Sequence, residues 1–114
     1  MVRIITVKHI KEFGDEHPQY AKALNAWVKI VQDENTIWLK PQDIVETFGE
    51  KAVDLIKPER AVIDIKGNHI RVIIKYQFFV KIKKCSIYIK WIGSHADYDK
   101  LCKKNLQYDI DMFK

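Results

Sequence analysis

The chain has 114 residues, a formal net charge of +5 at pH 7 and 47% hydrophobic residues, an ordinary fraction for a globular protein. This length supports one hydrophobic core, so we expect a single domain over residues 1–114. No run of about eighteen apolar residues, no signal-peptide pattern and no CxxC spacing occur, which predicts a cytoplasmic protein without a membrane span, metal or cofactor.

The N-terminal part of the chain has the pattern of one strand followed by a long helix. Val2 to Val7 is β-branched and apolar, which predicts a strand, and Lys8 to Phe13 fits the start of a helical turn. Residues 14–16 (Gly-Asp-Glu) break that pattern. Pro18 suits the first turn of a new helix, and the apolar stripe from Tyr20 to Val31 predicts that this helix packs on a sheet.

A second, shorter helix is predicted for Pro41 to Phe48, because apolar residues recur on one side and Gly49 provides a C-terminal stop. Ala52 to Ile56 is expected to add a further helical turn. Acidic residues occupy the outward positions of these helices, which indicates solvated faces.

The C-terminal half has the pattern of three strands and a final helix. Ala61 to Lys66 and His69 to Lys81 are predicted strands joined by a Gly67-Asn68 turn, and Ser86 to Ile92 is the third. Ser94 is a candidate cap for the last helix. The whole order predicts an α+β fold, with helices on one face of an antiparallel sheet.

Positive charge is concentrated in these predicted strands. From Ile65 to Ala96 there is no aspartate or glutamate, and all fifteen acidic residues lie outside this span. The span contains Lys66, Arg71, Lys75, Lys81, Lys83, Lys84 and Lys90, together with His69 and His95. Such a segregated basic surface favours an anionic partner, either nucleic acid or an acidic protein.

Strand periodicity predicts which of these cations share a face. Side chains on a strand point alternately to opposite faces, so the row from Ile70 to Phe78 is expected to face the helices. On the last strand the same alternation places Trp91 with the core row and Ile92 on the opposite, open face. The groups predicted to converge on the open face and its margin are Arg71, Lys75, Lys90, His95 and Tyr98.

These residue types match what metal-independent RNA cleavage needs. One group takes the proton from the attacking 2′-hydroxyl, another protonates the departing 5′-oxygen, and cations stabilise the charge on the phosphorane-like transition state. Histidine is the usual proton-transfer residue, and arginine binds two phosphate oxygens at once. A lysine beside other cations could act as a base, and Tyr98 could stack on a base or contact the phosphate.

The same residues also fit plainer roles. His95 could be a capping or surface residue, and Arg71 and Lys75 could be solvated charges. Lys81, Lys83 and Lys84 could form only a turn surface. Four aromatic residues of these strands fit a hydrophobic core: Tyr76, Phe78, Phe79 and Trp91.

The segment GNHIRVIIKYQFFVKIKKCSIYIKWIGSHADYDKL resembles the C-terminal half of HigB-type toxins of toxin–antitoxin modules. The resemblance rests on the N-x-x-R from Asn68 to Arg71, the lysine-rich aromatic hairpin, and an ending similar to the family form G-T-H-x-x-Y-D. Ser94 stands where threonine is usual. The N-terminal segments RIITVKHIKEF and HPQYAKALNAWVKIV are similar to the opening strand and helix of that family.

This resemblance implies a RelE-like α+β fold, with two N-terminal helices on one face of an antiparallel sheet and a short C-terminal helix. It implies ribosome-dependent cleavage of mRNA by 2′-hydroxyl attack without metal, and neutralisation by a HigA-type helix-turn-helix antitoxin. It implies that Arg71 and His95 are catalytic, joined by Lys75 and Tyr98. The expected RNA contacts are Lys66, Asn68, Lys81, Lys83, Lys84, Lys90 and Asp99.

Two other functions are compatible with the same patterns. A ParE-like toxin has a related scaffold but poisons gyrase by binding a protein. A non-catalytic RNA- or ribosome-binding module would also present a basic sheet with aromatic residues.

Overall fold

A computed structural model describes residues 1–66 and 69–113, and the predicted α+β class is confirmed. The helices are α1 (Val7–Glu16), α2 (Pro18–Gln32), α3 (Pro41–Phe48) and α4 (His95–Lys103). The strands are β1 (Val2–Ile5), β2 (Val53–Ile56), β3 (Arg60–Ile65), β4 (Ile70–Phe79) and β5 (Lys84–Ser94). A short 3₁₀ turn over Val80–Ile82 joins β4 to β5. In the described part of the chain, no helix combines the length and apolarity needed to cross a bilayer.

The sheet has the strand order β1-β5-β4-β3-β2 and is mixed. The pairs from β2 to β5 are antiparallel, as predicted for β3, β4 and β5. β1 adds a parallel edge, with Val2 opposite Cys85 and Ile5 opposite Tyr88. The sequence pattern did not indicate that this edge strand is parallel, because its direction depends on the long connection through the helices and not on a local turn.

Two local predictions in the N-terminal half differ from the structure. α1 continues through Gly14 to Glu16, where a break was expected; Gly14 is buried against α2, and a Cβ there would meet the Ala21 backbone at 3.4 Å, an ordinary contact. The expected helical turn from Ala52 to Ile56 is wrong: Val53 to Ile56 form β2, which pairs with β3. Tertiary pairing decides the conformation of such a short apolar segment.

Hydrophobic side chains pack on both faces of the sheet. The core face carries the larger cluster, in which Leu24, Trp27 and Val31 of α2 pack with the sheet. The outer face carries a smaller cluster under α4, formed by Val62, Ile73, Trp91, Tyr98 and Leu101. α4 therefore lies on the face opposite α1 and α2.

A β-bulge at Lys90 changes the alternation of β5. Ile74 pairs with Ile89 and Ile73 pairs with Trp91, so Lys90 is an extra residue on β5. After the bulge, Trp91 joins the outer-face cluster and Ile92 joins the core. The faces predicted for Trp91 and Ile92 are therefore wrong and have to be exchanged, because a strict two-residue alternation does not allow for an inserted residue.

The residues after α4 cross the outer face as an irregular tail. The buried Arg60 donates from Nη1 to the Gln107 carbonyl oxygen at 3.3 Å. The Met112 N–H donates to the Lys90 carbonyl oxygen at 2.8 Å. The Phe113 ring then stacks on His9 of α1, with the ring centroids 4.0 Å apart. The tail therefore joins the outer face to the first helix.

Candidate active site

The predicted open face of the sheet is covered at its centre. Ile73 lies between Arg71 and Lys75 on the outer face of β4, and it is fully buried beneath α4. Arg71 and Lys75 are four positions apart on the strand, about 14 Å at the usual rise of a strand. The cations expected to converge are therefore divided into two groups, one on each side of the Ile73 contact.

Arg71 is held by two different contacts. Its Nε lies 2.9 Å from Oδ1 of Asp64, the residue directly opposite on β3. Its guanidinium carbon lies 4.7 Å from the centre of the Tyr98 ring, a cation–π distance. About 20% of the Arg71 side chain is exposed. This arrangement fixes the plane of a cation that still reaches the surface.

Tyr98 lies beneath Arg71 rather than at the surface. The side chain is only 6% exposed, and its ring centroid is 6.0 Å from that of Trp91. Burial raises the pKa of the phenol well above its usual value, and a hydrogen bond with Cys102 raises it further, while the Arg71 charge opposes the shift. A neutral, buried phenol at this position supports the guanidinium above it.

His95 is the first residue of α4, and a carboxylate one turn later orients its ring. The ring Nδ1 lies 3.2 Å from Oδ2 of Asp99, and about one third of the His95 side chain is exposed. If Nδ1–H donates to Asp99, Nε2 is the nitrogen that can accept a proton. Ser94 accepts from the Asp97 N–H at 3.1 Å, so the predicted cap fixes the start of this helix.

Gly93 joins the arginine and histidine parts of the site. It pairs with Arg71 across the sheet and precedes His95 by two residues. A Cβ on Gly93 would lie 2.5 Å from two carbons of the Trp91 ring, so only glycine lets this indole lie against the strand. Arg71 therefore lies opposite the end of β5 from which α4 begins, at the position two residues before His95.

Lys75 and Lys90 form a second basic group on the outer face. They line a groove of about 510 Å³ that also includes Tyr88 and Glu59. Lys90 Nζ lies 5.7 Å from the centre of the Tyr88 ring and 3.2 Å from Oδ2 of Asp111 in the tail. Lys75 is exposed, whereas the charge of Lys90 is already paired with a carboxylate.

The other predicted RNA contacts are dispersed. Lys81, Lys83 and Lys84 are exposed beyond Phe79, which lies eight residues or about 27 Å along β4 from Arg71. Lys66 donates from Nζ to the Gln19 carbonyl oxygen at 3.2 Å. Asn68 lies outside the described residues. No group of three or more His, Cys, Asp or Glu side chains suited to a metal ion occurs within residues 1–66 and 69–113.

Comparison with known proteins identifies the family. Residues 20–101 match the HigB toxin family, described as the RelE-like toxic component of a toxin–antitoxin system. The chain belongs to the HigB toxin family. It is also similar to the mRNA interferase HigB of Escherichia coli O6:H1, with 26% identity over 102 residues that cover 90% of this chain and 93% of that protein. The predicted resemblance is confirmed.

The residues matched to the HigB family include the whole cluster around Arg71. Asp64, Arg71, His95, Tyr98 and Asp99 all fall within the matched range. A toxin of this family works with an antitoxin, so an antitoxin partner is implied for this chain.

Two polar residues of this HigB-family protein were missed by sequence reasoning. Asp64 was not predicted as a partner of Arg71, although a two-residue turn at Gly67-Asn68 would place the two opposite each other. The burial of Arg60 could not be predicted from the sequence, because it depends on the irregular tail. Burial lowers the pKa of Arg60, while the nearby Asp109 and Asp111 carboxylates raise it.

Proposed function

We propose that this HigB-family toxin is a ribosome-associated endoribonuclease that cleaves mRNA in the cytoplasm by 2′-hydroxyl attack without a metal ion. The observation that carries the proposal is a guanidinium and an imidazole at one end of the outer face, each oriented by its own carboxylate. Asp64 holds Arg71, and Asp99 holds His95. The likeness to an mRNA interferase supports RNA as the substrate.

In the proposed reaction, His95 is the proton-transfer residue. Its Nε2 takes the proton of the 2′-hydroxyl while the 2′-oxygen bonds to phosphorus and the bond from phosphorus to the 5′-oxygen breaks. A water molecule protonates the departing 5′-oxygen and recovers a proton from the imidazolium. The products are a 2′,3′-cyclic phosphate and a 5′-hydroxyl. Asp99 stabilises the imidazolium that forms in between.

Arg71 stabilises the transition state in this proposal. Its planar guanidinium suits two oxygens of the phosphorane-like species, and the surroundings of the site are only partly exposed to solvent. Asp64 and Tyr98 act through Arg71 as positioning residues, since one contacts its Nε and the other its planar face. Lys75 is proposed to bind the RNA backbone farther along the sheet.

Induced expression in a bacterium tests the assignment of the two residues. The wild type should arrest growth and produce mRNA ends that map within coding regions. His95→Ala and Arg71→Lys should each restore growth, because the first removes the base and the second keeps the charge but loses the planar fork. The matched control is His9→Ala. His9 belongs to α1 and stacks on Phe113 of the tail, so this variant should stay toxic. Full toxicity of both site variants, with normal circular dichroism, would remove these residues from the mechanism.

Purified components test the chemistry itself. Programmed ribosomes should be needed for rapid cleavage, and a single 2′-deoxy substitution at the cleaved nucleotide should abolish cutting. Toxin that has been treated with a chelator and then separated from it should cleave at an unchanged rate. Products with a 5′-phosphate would contradict 2′-hydroxyl attack. Intact mRNA together with a DNA-damage response after induction would favour gyrase poisoning, and intact mRNA with tight ribosome binding would favour a non-catalytic module.

A further inference from the structure

The turn between β4 and β5 exposes apolar side chains far from the candidate active site. Val80 is 58% exposed and Ile82 is 62% exposed, and Phe79 beside them is also exposed. We call residues 79–84 together with residues 1–3 the tip surface. When several accessible apolar side chains are grouped at the end of a sheet, they commonly form a contact surface for another molecule.

A groove of about 670 Å³ opens onto the tip surface, and Gln32, Cys85 and Ser86 complete its lining. Met1, Phe79 and Ile82 contribute apolar side chains to its lining, and Arg3 and Lys84 contribute cations. Of the described residues that line it, none is acidic. The neighbouring Lys81 and Lys83 are also exposed, so the groove has a cationic rim around an apolar floor.

This combination favours an acidic protein segment over the other possible occupants. RNA phosphates would interact with the lysines but would leave Val80 and Ile82 without a suitable contact. A second copy of this chain, paired about a two-fold axis, would place the same cations against each other. An amphipathic segment with carboxylates beside apolar side chains matches both the floor and the rim.

We propose that the tip surface is the docking site for an acidic amphipathic segment of the antitoxin. The apolar side chains of that segment fill the groove beside Ile82, while its carboxylates pair with Arg3 and Lys84. Because β4 spans about 27 Å between Arg71 and Phe79, the bound segment leaves the candidate active site uncovered. It covers the tip lysines, so antitoxin and RNA compete for the same cations.

The probe is the purified cognate antitoxin, titrated calorimetrically into the toxin. Ile82→Asp and Val80→Asp should each raise the dissociation constant at least tenfold, because a carboxylate in the groove at Ile82, or on the exposed turn beside it at Val80, repels the acidic segment. Ile37→Asp is the matched control, since Ile37 is 48% exposed but lies between α2 and α3. It should bind within about twofold of the wild type.

Each alternative occupant has its own outcome. Unchanged antitoxin affinity in folded Ile82→Asp and Val80→Asp overturns the proposal. Loss of single-stranded RNA binding with antitoxin binding retained assigns the tip surface to RNA. A change in sedimentation of the toxin alone, again with antitoxin binding retained, assigns it to a second copy. The inference rests on the proposed function only for the competition with RNA, because the titration measures antitoxin binding whether or not the toxin cleaves mRNA.

Discussion

Replacing Gly93 by alanine tests how the candidate active site is built. The added Cβ would lie 2.5 Å from Cη2 and Cζ2 of the Trp91 ring. Ordinary carbon–carbon contact is about 3.5–4.0 Å, so the ring or the strand has to move by about 1 Å. Trp91 cannot move alone, because its ring packs on Tyr98, which in turn supports Arg71.

We expect Gly93→Ala to lower the free energy of unfolding by about 1–3 kcal/mol, the usual cost of overpacking a buried site. For a domain of this size, that loss corresponds to a fall in Tm of about 4–12 °C. Urea unfolding followed by tryptophan fluorescence measures it. Cleavage activity should fall as well, because the displaced rings shift the guanidinium of Arg71.

The matched control is Gly14→Ala in α1. There the new Cβ would meet the Ala21 backbone at 3.4 Å, an ordinary contact, and alanine favours the helix by up to about 1 kcal/mol. Gly14→Ala should therefore be neutral or slightly stabilising and fully active. Equal stability and activity of Gly93→Ala and the wild type would refute the argument that this glycine makes room for the indole.

Three further predictions concern reactivity, pH and the tail. Burial raises the pKa of the Cys85 thiol to about 11, so at pH 8 about one molecule in a thousand carries the thiolate at this residue. Iodoacetamide should therefore modify Cys102 before Cys85. Mass spectrometry that shows both cysteines labelled equally fast would contradict this. Folding raises the pKa of Tyr98, so the stabilisation that comes from its neutral phenol is present below about pH 10 and is lost at higher pH. In urea unfolding, the free energy of unfolding of Tyr98→Phe should therefore fall less steeply with rising alkaline pH than that of the wild type. Asp111→Asn should lower the free energy of unfolding by less than about 1 kcal/mol. It should also strengthen RNA binding and steepen the salt dependence of that binding, because Lys90 becomes available to a phosphate. Unchanged RNA affinity in fluorescence anisotropy titrations would show that the Lys90–Asp111 ion pair does not affect RNA binding.

The parts of the fold with strong local signals could be predicted from the sequence. Pro41 to Phe48 is a helix with the expected limits, because a proline starts it and Gly49 ends it with a positive φ of 93°. The Ser94 cap was also expected, since serine before a helical segment commonly accepts a hydrogen bond from its first turn. These features depend on residues adjacent in the chain.

The arrangement of the site could be predicted only in part. The sequence indicated that Arg71 and His95 belong to one basic surface, but the bulge at Lys90 and the cover of α4 over Ile73 depend on contacts between distant segments. These contacts divide the predicted cations into separate groups and bury Tyr98. The catalytic and RNA-binding roles of the residues remain predictions.

The parallel edge of the sheet has a consequence for the order in which the fold forms. β1 is made first, but its partner β5 begins more than eighty residues later, with Val2 opposite Cys85. A pairing so distant in sequence forms late, after most of the chain is available. We therefore expect β1 to stay unpaired until β5 has been synthesised, so that this edge of the sheet is completed late in folding.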